Sequence, residues 1–118
     1  MNAESAFPVT GPHVLRGGMV GMGMIFDETY RPFFEAARAE GLYDRRCGVL
    51  DVRLAAVASR TGRRAERYLQ ERRDQLGEFA SFAEPGSVAR LLEHGVDFVC
   101  VATPDDRHFE AAKAALEA

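Results

Sequence analysis

An apolar run from His13 to Val20 ends at once in Gly21-Met22-Gly23, and a helical pattern follows directly. Run, glycine pair and periodic segment together predict a β-strand entering a tight turn that opens a helix. Phe26, Tyr30, Phe33, Phe34 and Ala37 stand at i, i+4, i+7, i+8 and i+11, the spacing of one helix face. Pro32 lies inside this pattern, so the helix must kink at that residue or start near it; Gly41 marks its stop.

The alternation repeats along the chain. Leu42 to Leu50 reads as a polar, arginine-bearing connection, and Val52 to Ala58 as a second strand. Thr61 to Arg73 predicts a strongly charged helix, with Ala65, Tyr68, Leu69 and Leu76 as its inner side. A short strand is expected near Phe79 to Phe82. The segment Glu84 to Glu93 predicts a short helix with Val88, Leu91 and Leu92 inward and Gly95 closing it. Asp97 to Ala102 is almost continuously apolar, as expected of a strand buried on both faces. A last helix starts at Pro104 or Asp105, with Phe109, Ala112 and Leu116 on one face. Four strands alternating with four helices predict an α/β fold, a doubly wound parallel sheet with right-handed crossovers and helices on both faces.

Composition bounds the function. The 118 residues suffice for one core, with 47% apolar and 28% charged residues, the balance of a folded domain. A net charge of -3 argues against electrostatic nucleic-acid binding. No apolar stretch approaches the roughly 20 residues of a membrane span, and the N-terminus lacks the layout of a secretory signal, so a cytoplasmic protein is expected. Residues 1–12 are small, polar and proline-bearing and read as a flexible leader. Cys100 sits in an apolar run and reads as a small core residue; Cys47 stands beside two arginines without an evident partner base. His13, His94 and His108 have no metal-ligand spacing, and the Gly-x-Ser-x-Gly elbow of a serine hydrolase is missing.

Three segments carry candidate chemistry. In the turn, Gly21 permits the sharp reversal and Gly23 lets backbone approach a pyrophosphate at the positive end of the helix; a purely structural turn would look the same. Phe26 stands where a dinucleotide fingerprint has its third glycine, and its bulk would separate or rotate the helix. After the second strand come Ser59-Arg60-Thr61, then Arg63 and Arg64, with no carboxylate at the strand tip. Arginine can fork onto a 2′-phosphate and serine can donate to it, so NADP is favoured over NAD; the other reading is a solvated helix start. Finally, Thr103-Pro104-Asp105-Asp106-Arg107-His108 leaves the carboxyl end of the fourth strand. Pro104, Asp105 and Asp106 suit a first helical turn, and His108 either faces the crevice or is a surface histidine.

Taken together, Met19-Val20-Gly21-Met22-Gly23-Met24-Ile25, Ala56-Val57-Ala58-Ser59-Arg60-Thr61 with Arg64-Ala65-Glu66, and Val99-Cys100-Val101-Ala102-Thr103-Pro104 with His108 resemble the N-terminal part of the glucose–fructose oxidoreductase / inositol dehydrogenase (Gfo/Idh/MocA) family. The resemblance covers nearly all of Val14 to Ala118. It implies a Rossmann domain that binds NAD or NADP. It further implies hydride transfer at a hydroxyl or carbonyl of a sugar, polyol or similar small molecule. By position, Gly21, Gly23, Met24 and Ile25 would line the pyrophosphate turn. Ser59, Arg60 and Arg64 would face the adenosine ribose, and Thr103, Pro104 and His108 the nicotinamide-side wall. Members of the family continue into a Glu-Lys-Pro motif and a substrate-binding domain, through whose sheet their homo-oligomers are built. This chain stops at Ala118, so residues 13–118 are expected to be a partial Rossmann domain, truncated after about four strands. It would hold no catalytic residue and have no turnover alone. The alternative is a non-enzymatic NAD(P)-sensing or scaffold domain on the same fold.

Overall fold

The computed structural model describes residues 13–46, 48–103 and 105–118, the segment 105–109 by its backbone alone. The expected leader, Cys47, Pro104 and the side chain of His108 lie outside the described residues.

Strand β1 (His13–Val20) leads through the glycine turn into a single π-helical turn, Phe26–Tyr30, continued by α1 (Arg31–Glu40). The Arg31 N–H closes the wide turn on the Phe26 carbonyl, and Pro32 sits in the first turn of α1, where its missing N–H costs little. Strand β2 (Leu42–Asp44) and β3 (Gly48–Ser59) follow, then α2 (Arg63–Glu71), α3 (Arg73–Leu76), β4 (Ala80–Ala83), α4 (Ser87–His94), β5 (Phe98–Val101) and α5 (Asp105–Glu117).

The sheet runs β2-β3-β1-β5, with β4 also on β3. Strands β1, β3, β4 and β5 are parallel. Because β1 occupies one edge of β3, β2 and β4 share the other: β2 against Gly48–Leu50 and β4 against Ala56–Ser59. The parallel order is therefore β4-β3-β1-β5, the first half of a doubly wound sheet. The chain steps outward from β1 to β3 to β4, then returns to the other side of β1. This reversal between β1 and β5 opens a crevice at the strands' carboxyl ends.

The expected connection at Leu42–Leu50 is instead an antiparallel hairpin, and β3 begins at Gly48. Its charged residues are exposed, as an edge ribbon allows. The expected helix Thr61–Arg73 breaks at Arg72, whose φ of -130° leaves the helical region. Strand β5 is half-buried throughout rather than buried on both faces, because it pairs along one edge only.

Two apolar layers sandwich the sheet. Met19, Phe26, Phe34, Val57, Tyr68 and Leu76 pack on the α1–α3 face; Val20, Ala56, Ala58, Leu91 and Ala111 pack on the α4–α5 face. A β-bulge joins the two patterns. Gly17 pairs with Leu54 but Gly18 with Ala56, so Ala55 is an extra residue. Before it Val52 and Leu54 face α1–α3; after it Val57 does, and Ala56 and Ala58 turn to the other side. Among the described residues no helix is long and apolar enough to cross a membrane.

Candidate functional site

A cavity of about 950 Å³ lies at the carboxyl ends of β1, β3, β4 and β5, the volume range of small-molecule and cofactor sites. Its floor is the glycine turn. Gly21 has φ +94°, its N–H donates to the Ala58 carbonyl at 2.8 Å, and a Cβ there would stand 2.6 Å from the Ala102 carbonyl oxygen. The fold itself requires this glycine. Gly23 differs: among the described residues, a Cβ built on it meets nothing within 4 Å. Its openness belongs to the cavity and not to packing. The first helical bond runs from the Asp27 N–H to the Gly23 carbonyl at 3.1 Å, so the amides before it have no acceptor within the helix. A pyrophosphate at this end would meet backbone N–H groups and the positive helix terminus.

Phe26, at the third glycine position, is fully buried and meets Tyr68 edge-to-face at 5.3 Å. The π turn supplies the width that its ring needs, and the turn remains anchored beneath by buried Met22. On the far side of this helix, the Tyr68 hydroxyl and the Arg31 Nε each donate to Asp27 Oδ1 at 2.8 Å, and together they hold its carboxyl below the usual range. Glu35 takes the Arg72 guanidinium through both oxygens, at 2.5 and 2.8 Å, and also binds Arg31. These cations keep Glu35 ionised, well below its ordinary pKa despite partial burial.

At the tip of β3 the chain folds on itself. Gly62 N–H donates to Ser59 Oγ at 3.1 Å, Arg63 N–H to Thr61 Oγ1 at 3.3 Å, and Gly62 adopts φ +79°. Arg60 and Arg64 are exposed on the cavity wall, with Ser59 behind them. Arg31, Arg53, Arg72 and Arg73 are ion-paired; Arg60 and Arg64 are in no ion pair among the described residues. At the end of β5, Thr103 lines the same cavity, and its buried Oγ1 has no hydrogen-bond partner among the described residues. A buried hydroxyl left unpaired is costly, and a ligand in the cavity would relieve it.

Six expected residues thus meet on one cavity: Gly21, Gly23, Ser59, Arg60, Arg64 and Thr103. Met24 and Ile25 are 68% and 53% exposed and are not on its wall. Pro104 and the side chain of His108 lie outside the described residues.

The sequence reading missed the wall beside and beyond β3's tip. Glu84 before α4, Ser87 at its start, and Ala111 and Ala114 of α5 complete the cavity. Glu84 Oε2 accepts from the Ser87 N–H at 3.1 Å and from its hydroxyl at 3.0 Å. The helix expected from Glu84 begins only at Ser87, because Pro85-Gly86 makes a turn first, with Gly86 at φ +74°; only strand pairing reveals which side of the sheet it reaches. Cys100 is a half-buried free thiol whose pKa burial pushes up, the behaviour of a core residue. Among the described residues no three of His, Cys, Asp and Glu gather to hold a metal ion.

The open Gly23 cradle, and Arg60 and Arg64 with no ion pair among the described residues, would fit a dinucleotide's phosphates and adenosine end, and the Thr103 hydroxyl its other end. Comparison with curated proteins and with solved structures gave no match. A family model described as oxidoreductase family, NAD-binding Rossmann fold, matches residues 15–118. The chain therefore belongs to the Gfo/Idh/MocA oxidoreductase family, as its NAD-binding Rossmann domain.

Proposed function

We propose that this chain is the cofactor-binding part of an oxidoreductase that prefers NADP and acts on a hydroxyl or carbonyl of a sugar, polyol or similar small molecule. Gly21, Gly23 and the amides of Met24 and Ile25 hold the pyrophosphate. Ser59, Arg60 and Arg64 receive the adenosine ribose and its 2′-phosphate, while Thr103, Pro104 and His108 form the nicotinamide-side wall. The nicotinamide supplies the hydride chemistry when bound; these residues supply position and charge. The observation that carries the reading is the cluster of Ser59, Arg60 and Arg64 on the cavity's wall, with neither arginine ion-paired among the described residues. The described cavity offers no evident general acid or base aimed at a substrate, so the 118 residues alone are expected to bind cofactor without turnover. Nicotinamide fluorescence titration with NADPH and NADH tests this. Tighter NADPH binding supports the assignment; equal affinities remove the arginine argument, and hydride transfer by the chain alone removes the inference of inactivity.

A further inference from the structure

We propose that Glu84 is a specificity-determining residue, which opposes the 2′-phosphate that Arg60 attracts. The proposal rests on the reading of the cavity as a dinucleotide site. The parallel register sets Ala83 beside Ser59, so the residues that leave the two strand tips, Glu84 and Arg60, stand side by side. The Glu84 N–H donates to the Arg60 carbonyl at 3.2 Å and ties the two loops together. Both residues line the cavity and both are exposed to it.

The carboxylate has a fixed place. One oxygen, Oε2, takes both the Ser87 N–H and the Ser87 hydroxyl, and Ser87 is itself buried. Two donors on one oxygen, one of them in the first turn of α4, hold the carboxylate against the cavity wall. The positive end of α4 is thereby already occupied by a protein anion. A cofactor phosphate has its cradle at Gly23 instead, where the space is open.

At the ribose end the two neighbours act in opposite senses. The Arg60 guanidinium attracts a 2′-phosphate, while a carboxylate beside it repels that phosphate and can accept a hydrogen bond from a free 2′-hydroxyl. An acidic residue at the tip of the second parallel strand would do this in the familiar way. Here the strand tip carries arginine and the acid comes from the neighbouring strand β4, across the sheet. The protein is thus built to prefer NADP by a limited margin, with Glu84 holding the margin down.

The decisive variant is Glu84→Gln, whose amide oxygen still accepts from Ser87 while the charge is gone. Wild type and variant are titrated with NADPH and NADH by nicotinamide fluorescence, and the ratio of the two dissociation constants is compared. Removal of one like charge at a solvent-facing site is expected to shift the ratio about fivefold toward NADPH. Glu84→Ala, which also loses the cap, should shift it the same way. Each ratio is taken within one preparation, so a reduced folded fraction cancels. An unchanged ratio in both variants overturns the role of Glu84 and leaves the cofactor reading standing. Failure of the wild-type chain to bind either nucleotide overturns that reading, and this inference with it.

Discussion

Gly17 of β1 lies against the ring of Phe98 of β5, so closely that a Cβ on Gly17 would stand 2.6 Å from Phe98 Cζ. On the same face Phe34 of α1 stacks on Phe98 at 6.3 Å between ring centres. Gly18 makes the matching room on the other face, where a Cβ would come within 2.9 Å of Leu91 Cδ2. Two adjacent glycines therefore let one strand accept large side chains on both sides.

Gly17→Ala should force the Phe34–Phe98 pair apart. The expected cost is about 1–3 kcal/mol of overpacking, read as a lowered urea midpoint with an unchanged slope. Phe98→Leu in the same chain should recover part of the loss, since the two sites share one contact.

The two glycines of the turn should separate by assay. Gly21→Ala places a Cβ at φ +94° and against the Ala102 carbonyl, and is expected to lower stability by about 2 kcal/mol or more. Gly23→Ala meets no atom of the described residues within 4 Å and should leave stability within about 0.5 kcal/mol, while weakening nucleotide binding. Paired urea melts and NADPH titrations make the comparison. Equal destabilisation by both changes would contradict the distinction.

Acid should weaken the α1–α3 face selectively. Asp27 and Glu35 are held below their ordinary pKa values in the folded chain by hydrogen bonds from Tyr68, Arg31 and Arg72. A depressed carboxyl pKa contributes stability that is complete above the unfolded-state value and is lost as pH falls through the folded-state value. For Glu35 the decline begins near its ordinary value of 4.5 and continues below it. Urea midpoints measured downward from pH 6 should fall in this range. Glu35→Gln should flatten the fall while lowering the midpoint at neutral pH.

Arg60→Ala is expected to weaken NADPH about tenfold, the low end for a charge-assisted hydrogen bond at an exposed site, with NADH changed little. The NADPH effect should shrink as salt is raised. A parallel loss for both nucleotides would place Arg60 away from the 2′ position.

Much of this was legible in the residues. The run into Gly21-Met22-Gly23, the periodic face through Phe26, Phe34 and Ala37, and the apolar β5 each declare themselves locally. Ser59, Arg60 and Thr103 could be placed because each lies at or just after the end of a strand. Two features resisted reading. Val52 to Ala58 is apolar at nearly every position, so nothing in its periodicity marks Ala55 as the extra residue. Glu84 reaches Arg60 only through the pairing of β3 with β4, a relation between distant segments that no local pattern encodes.

The bulge at Ala55 makes β3 a counted object. Upstream of it the strand matches one layer of the protein by even positions, and downstream by odd ones. Were β3 to pair with β1 without the bulge at unchanged length, the strand beyond Leu54 would slip by one residue, Val57 would turn toward α4 and the tip would turn over; without Ala55 the strand would alternate regularly and keep Val57 on the α1–α3 face. Most side-chain exchanges there would spare that arithmetic. The cavity's ribose end is thus placed by one unpaired residue in mid-strand, and loss of Ala55 should be tolerated far better than loss of Leu54 or Val57 on either side of it.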